Sequence, residues 1–177
     1  VYVECYPLYL LRCARVFDIP FALGCMTYVC RRFALQFDRT EQLAQELDLP
    51  VSVHDREAHA EMYELLRQYR PRGVLHCYSG SAEDAAWLTA QGMALGFGGA
   101  VTYKGAKRAA KVLAMVPHEL AVLETDCPYM SPEPVRGTRN DSRNIAHVAA
   151  KIGEIWQMDA QSVLDLTAEN AKCIFNQ

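Results

Sequence analysis

The chain lacks a strong charge of either sign, long apolar runs, cysteines paired at knuckle spacing, and any histidine before position 54. Each absence excludes something. A net charge of −3 over 177 residues gives no global basic face for a polyanion, so any nucleic-acid contact must be local. No apolar stretch approaches the roughly 18 residues of a membrane helix, and the stretch 6–17 is interrupted by Arg12 and Arg15. The seven cysteines are odd in number and include no C-x-x-C pair. That pattern argues against a disulfide framework or zinc knuckle and for a reducing, cytoplasmic setting without membrane contact. The chain opens on Val1-Tyr2-Val3 without an initiator Met, as expected of a cut or processed start.

What is present is the material of one globular domain spanning 1–177, with 51% hydrophobic and 22% charged residues. Along the chain, apolar runs of strand length alternate with amphipathic runs of helix length. Strands are expected at 19–24, 51–54, 73–78, 93–99 and 120–126, and helices at 58–69, 82–91, 106–115, 145–156 and 160–175, with a further helix ending before Pro50. Ser81 followed by Asp84 makes a capping box, Gly92 closes the helix it opens, and Asp159 is placed to cap the last helix. Fully apolar strands alternating with helices predict an α/β fold with a parallel sheet covered by helices, either doubly wound or part of a TIM-like (β/α) barrel.

Three of these strands end in a potential metal ligand: His54 after Val51-Ser52-Val53, His76 after Val74-Leu75, and Asp126 after Glu124-Thr125. Strand C-termini in such folds carry the chemistry, because the loops there gather side chains from several strands. Imidazole nitrogen and carboxylate oxygen suit Zn, Mn or Mg, and a divalent cation there would acidify water and polarise a phosphoryl or carbonyl oxygen. Asp126 is the candidate catalytic residue as well as a ligand. Arg56, Arg136 and Arg139, with Lys104, fall in strand-to-helix loops where they can hold a substrate phosphate. His59, His118 and His147 read as surface or packing residues, and Trp87 and Trp156 as packing. Cys77 and Cys127 read as buried inert thiols pointing away from the ligands beside them.

Four ordered segments carry a resemblance: Leu49-Pro50-Val51-Ser52-Val53-His54-Asp55-Arg56-Glu57-Ala58, Gly73-Val74-Leu75-His76-Cys77-Tyr78-Ser79-Gly80-Ser81, Leu123-Glu124-Thr125-Asp126-Cys127-Pro128-Tyr129 and Arg136-Gly137-Thr138-Arg139-Asn140. Together they resemble the successive motifs of TatD-family metal-dependent hydrolases. The resemblance is dense from about Leu35 onward. It implies an eight-stranded TIM-like barrel, metal-dependent hydrolysis chiefly of DNA phosphodiesters, His54 and His76 as ligands of a second metal, and Asp126 as a ligand of the first, near the attacking water.

Two departures from the family pattern stand beside it. The family's first strand ends in His-x-His, and no histidine precedes His54; the family's bridging Glu falls where this chain has Cys25 or Met26. These departures imply an incomplete barrel of about six parallel strands, lacking the family's first two, with fewer than two metals and weak or no nuclease activity. Exposed strand edges would favour a homo-oligomer that covers them. A catalytically dead binding module, and a one-metal hydrolase of a non-nucleic ester or amide, are the alternatives.

Overall fold

The computed structural model describes residues 26–29, 42, 44–55 and 59–175, the first four by backbone path alone. The strand expected at 19–24 lies outside these residues. Five strands form one sheet: β1 (Met26–Val29), β2 (Val51–Asp55), β3 (Gly73–His76), β4 (Ala94–Phe97) and β5 (Ala121–Leu123). All four pairings are parallel, and the order in space is the order in sequence. A doubly wound sheet reverses its strand order near the middle, whereas a barrel adds each strand beside the last. The described sheet winds one way only, as a barrel does.

Helices α1 (His59–Tyr69), α2 (Ala82–Ala90), α3 (Lys107–Leu113), α4 (Ile145–Trp156) and α5 (Ala160–Phe175) complete the fold. Their starts follow local chemistry. Ser81 Oγ accepts from the Asp84 N–H at 3.0 Å and donates to the Asp84 carboxylate at 2.7 Å, while Asp159 Oδ1 accepts from the Ser162 N–H at 3.0 Å. These bonds satisfy donors that a helix start otherwise leaves open.

Alternation along the strands divides the sheet into two faces. Val51, Val53, Leu75, Leu95, Phe97 and Ala121 pack with helix residues such as Met62, Leu88, Val112 and Ile152 into the main core. Val74, Ala94 and Val122 face the other way and are covered at the N-terminal end by Leu120, Ala171, Ile174 and Phe175 from the last helix and the turn before β5. This second face belongs to His54, His76 and Glu124 at its C-terminal end. The sheet thus buries apolar residues below and gathers polar ones above.

β3, β4, β5 and α3 are each shorter than their sequence pattern predicts. β3 stops at His76 because Cys77 turns through a left-handed conformation (φ 51°), and β5 stops at Leu123, three residues before Asp126 turns the same way (φ 54°). Left-handed backbone costs a non-glycine residue about 1–2 kcal/mol. Both such turns sit where the site is built.

Candidate metal centre at the strand ends

His54 and His76 are register partners at the ends of β2 and β3. Their ring centroids lie 5.5 Å apart, with the planes tilted by 39°. Two strands away, the chain leaves β5 with the Glu124 N–H still bonded to the Phe97 carbonyl at 3.1 Å. Glu124 continues the Val122 face and so shares the side of the sheet with His76.

Between His76 and Glu124 runs β4, and the residue that separates them there is Gly96. A Cβ at Gly96 would lie 2.4 Å from Glu124 Oε2. The missing side chain opens the passage through which the Glu124 carboxylate crosses the middle strand. Glu124 Oε2 reaches His76 Nδ1 at 2.5 Å, and Asp126 Oδ1 lies 2.9 Å from His76 Nε2. One imidazole therefore bridges two carboxylates. The ligand atoms of His76, Glu124 and Asp126 all lie within 4.8 Å of one another.

The bridge sets the charge of each member. Burial alone would lower the His76 pKa, but hydrogen bonds to Asp126 and Glu124, with their charges, carry it up to about 10. Burial pushes Glu124 upward against the stabilising effect of His76. Asp126 is also penalised by burial, yet its bond to His76 and the imidazolium charge hold it below the ordinary carboxylate range. Cys77 is driven up to about 12 by burial and then by the two carboxylates, so it is a thiol at neutral pH. Its side chain bonds Asp126 and its amide faces Glu124.

The donor set fits a divalent cation. One imidazole and two carboxylates make a mixed nitrogen and oxygen site suited to Zn or Mn. Glu124 Oε1 is buried without a hydrogen-bond partner among the described residues, an acceptor that a bound cation would satisfy.

The turn bearing Asp126 is clamped from behind by Asn140, whose exposure is only 3%. Its amide donates to the carbonyls of Thr125 and Tyr129, both at 2.6 Å, and its backbone N–H donates to the Pro128 carbonyl at 3.0 Å. Asn144 Nδ2 donates in turn to Asn140 Oδ1 at 2.9 Å, which completes the amide's bonding. The left-handed conformation at Asp126 is thereby held by a satisfied buried side chain rather than by local preference.

Of the candidates from sequence, His54, His76 and Asp126 meet on one face, with His76 and Asp126 in direct contact. Arg56 lies outside the described residues. Arg136 stacks over the Tyr103 ring at 4.1 Å and approaches Glu133 at 3.9 Å, while Arg139 and Lys104 are exposed. His118 stacks on Trp156 with centroids 4.1 Å apart. His59 is exposed, within its reading as a surface or packing residue; it bonds the Asp55 carboxylate and, with His76, lines a shallow groove beside the centre. Cys77 points toward Asp126 rather than away, because its left-handed turn ends strand alternation, and Cys127 is exposed rather than buried.

The residue missed by sequence reasoning is Glu124. Its signals were present: it stands two residues before Asp126, and a glycine-rich strand in mid-sheet marks a close approach by another group.

The family profile described as TatD related DNase matches residues 30–176. This chain belongs to the TatD family. The metal-dependent hydrolase YabD of Bacillus subtilis, itself uncharacterized, is 37% identical over 136 residues, covering 75% of this chain and 53% of that protein. A 3'-5' ssDNA/RNA exonuclease TatD of Erwinia tasmaniensis is 29% identical, over 81% of this chain and 58% of its own length. The crystal structure of YJJV, the TatD homologue of Escherichia coli K12, superposes with a TM-score of 0.73 at 31% identity, covering 79% of this chain and 55% of that one. A TatD family hydrolase from Entamoeba histolytica shares the fold, with a TM-score of 0.71 at 20% identity over 94% of this chain and 67% of that one. The chain thus spans about half the length of the curated relatives it matches. Its α/β sheet is an arc of the TIM-like barrel. Among the described residues no helix is long and apolar enough to cross a membrane.

Two outcomes follow. Asn140→Ala strands the Thr125 and Tyr129 carbonyls and should cost about 2–3 kcal/mol, read as a lower urea midpoint, whereas Arg139→Ala on the adjacent exposed position should change it little. The second concerns pH. His76 has a folded pKa of about 10 against an ordinary value of 6.5, so the folded state holds the proton more tightly. Its contribution to stability is complete below about pH 6.5 and lost as pH rises through 10. The urea midpoint should fall across that window, and His76→Gln should flatten the fall.

Proposed function

We propose that this chain carries part of a divalent-metal hydrolase site whose substrate is the phosphodiester backbone of nucleic acid. The observation that carries the reading is the bridge at the strand ends, in which His76 joins Glu124 and Asp126 with all three ligand atoms inside 4.8 Å. A TatD-family chain with this donor set at the C-terminal face of parallel strands has the parts for hydrolysis at the place where such folds carry it.

His76, Glu124 and Asp126 would hold the cation, with the neighbouring His54 available to a second position. A divalent cation held there lowers the pKa of water and neutralises charge on a phosphoryl oxygen. Asp126 orients the attacking water and takes its proton, and its depressed pKa keeps it ionised for that role at neutral pH. Glu124 fixes the imidazole through Nδ1, leaving Nε2 turned toward Asp126 and the site. Lys104 and Arg139, both exposed in loops of this face, supply charge for flanking phosphates.

Nucleic acid is favoured as substrate by two things: the relative from Erwinia tasmaniensis named as a ssDNA/RNA exonuclease, and these loop cations in a chain of net charge −3. The test is to load the purified chain with Zn or Mn, count bound metal by elemental analysis, and follow cleavage of a labelled single-stranded oligodeoxynucleotide. About one equivalent of metal per chain should bind, and cleavage should disappear with EDTA and in Asp126→Ala. Cleavage that survives both treatments would contradict the assignment of these residues, and loading that is unchanged in Asp126→Ala would contradict the site.

A further inference from the structure

We infer that Tyr129 is a stacking platform for a nucleobase of the substrate, next to the metal centre. This rests on the nucleic-acid reading above and names the contact that recognises the base rather than the phosphate.

The argument begins with an imbalance between backbone and side chain. The backbone of Tyr129 is fixed on both sides: its N–H bonds the Asp126 carbonyl at 2.8 Å and its carbonyl accepts from the buried Asn140 amide at 2.6 Å. The next residue is seated as firmly. A Cβ on Gly99 would lie 1.9 Å from the Met130 carbonyl oxygen, so the loop rests directly on the backbone that follows β4. Thr102 Oγ1 accepts from the Glu133 N–H at 2.8 Å, and the buried Ser131 donates to the Thr138 carbonyl at 2.5 Å.

On this hydrogen-bonded loop Tyr129 is 63% exposed and Met130 37% exposed. Packing does not explain the ring, and a flexible loop does not explain its exposure. With the backbone already held, only the side-chain torsions of the exposed ring remain to be ordered on contact with a flat ligand. Its place identifies the ligand class. One tight turn separates it from Asp126. The Asn140 N–H bond to the Pro128 carbonyl also brings the cationic, exposed Arg139 alongside the same turn. An exposed planar side chain on the turn that carries a metal-capable carboxylate and adjoins the backbone of Arg139 matches a ligand with a planar ring and a phosphate, which is a nucleotide unit of a single strand.

The probes are a fluorescein-labelled oligothymidylate with hydrolysis-resistant phosphorothioate linkages and an abasic oligonucleotide of equal length and charge, measured by fluorescence anisotropy on the metal-loaded full chain. Stacking is worth about 1–3 kcal/mol per base, so Tyr129→Ala should weaken oligothymidylate binding by about fivefold or more. The abasic strand should bind Tyr129→Ala and the unaltered chain alike, and Tyr129→Phe should retain full affinity for both. Because the ring is exposed, these variants leave the core intact. Unchanged oligothymidylate affinity in Tyr129→Ala, or equal losses on both strands, would overturn the stacking role. An unaltered chain that binds neither strand would instead overturn the nucleic-acid reading on which it rests.

Discussion

Everything at the C-terminal face of this sheet depends on one imidazole bonded at both nitrogens to carboxylates. Two acids held this close repel each other and each resists burial. His76 offsets both costs by standing between Glu124 and Asp126 as a cation. The arrangement is stable as a hydrogen-bonded set, and the same three groups in the same positions form a donor set for a divalent ion. Structural satisfaction and metal binding would be two states of one cluster, exchanged if a divalent cation displaced a proton of His76.

The surrounding fold can be understood as the means of holding that cluster. Parallel pairing puts His54 and His76 side by side without further device. Bringing Glu124 in requires more, since an entire strand intervenes, and Gly96 supplies the opening. Bringing Asp126 in requires a left-handed turn, and buried Asn140 holds it through two carbonyls of the same loop. Cys77, itself in a left-handed turn, faces both carboxylates with its amide and thiol. At Cys77 and Asp126 the conformational cost falls where the candidate ligands converge and is offset by hydrogen bonds a few residues away.

Much of this was legible in the residues. Helices 145–156 and 160–175 appear with the expected bounds, because their apolar spacing and caps are local signals that tertiary packing did not override. Of the strands, β3, β4 and β5 were expected but drawn too long, β2 was drawn one residue short, and β1 at Met26–Val29 was not expected. A run such as 120–126 is apolar or strand-prone throughout, and nothing in its composition shows that the ladder ends at Leu123 so that Asp126 can turn. The histidines at strand ends were visible because each follows a short apolar run. Glu124 was harder to see, for its role depends on reaching across a neighbouring strand, and that follows from register and a glycine rather than from its own neighbours. The orientation of Cys77 was misjudged for a related reason: alternation holds only while the strand lasts.

The central claim is that His76, Glu124 and Asp126 are ligands to one cation. The most direct measurement is anomalous diffraction from crystals of the chain grown or soaked with Zn or Mn. A single anomalous peak within bonding distance of His76 Nε2 and of both carboxylates, with the His76–Asp126 hydrogen bond replaced, is the predicted result. A peak elsewhere, or none while His76 remains bonded to both acids, would contradict the account.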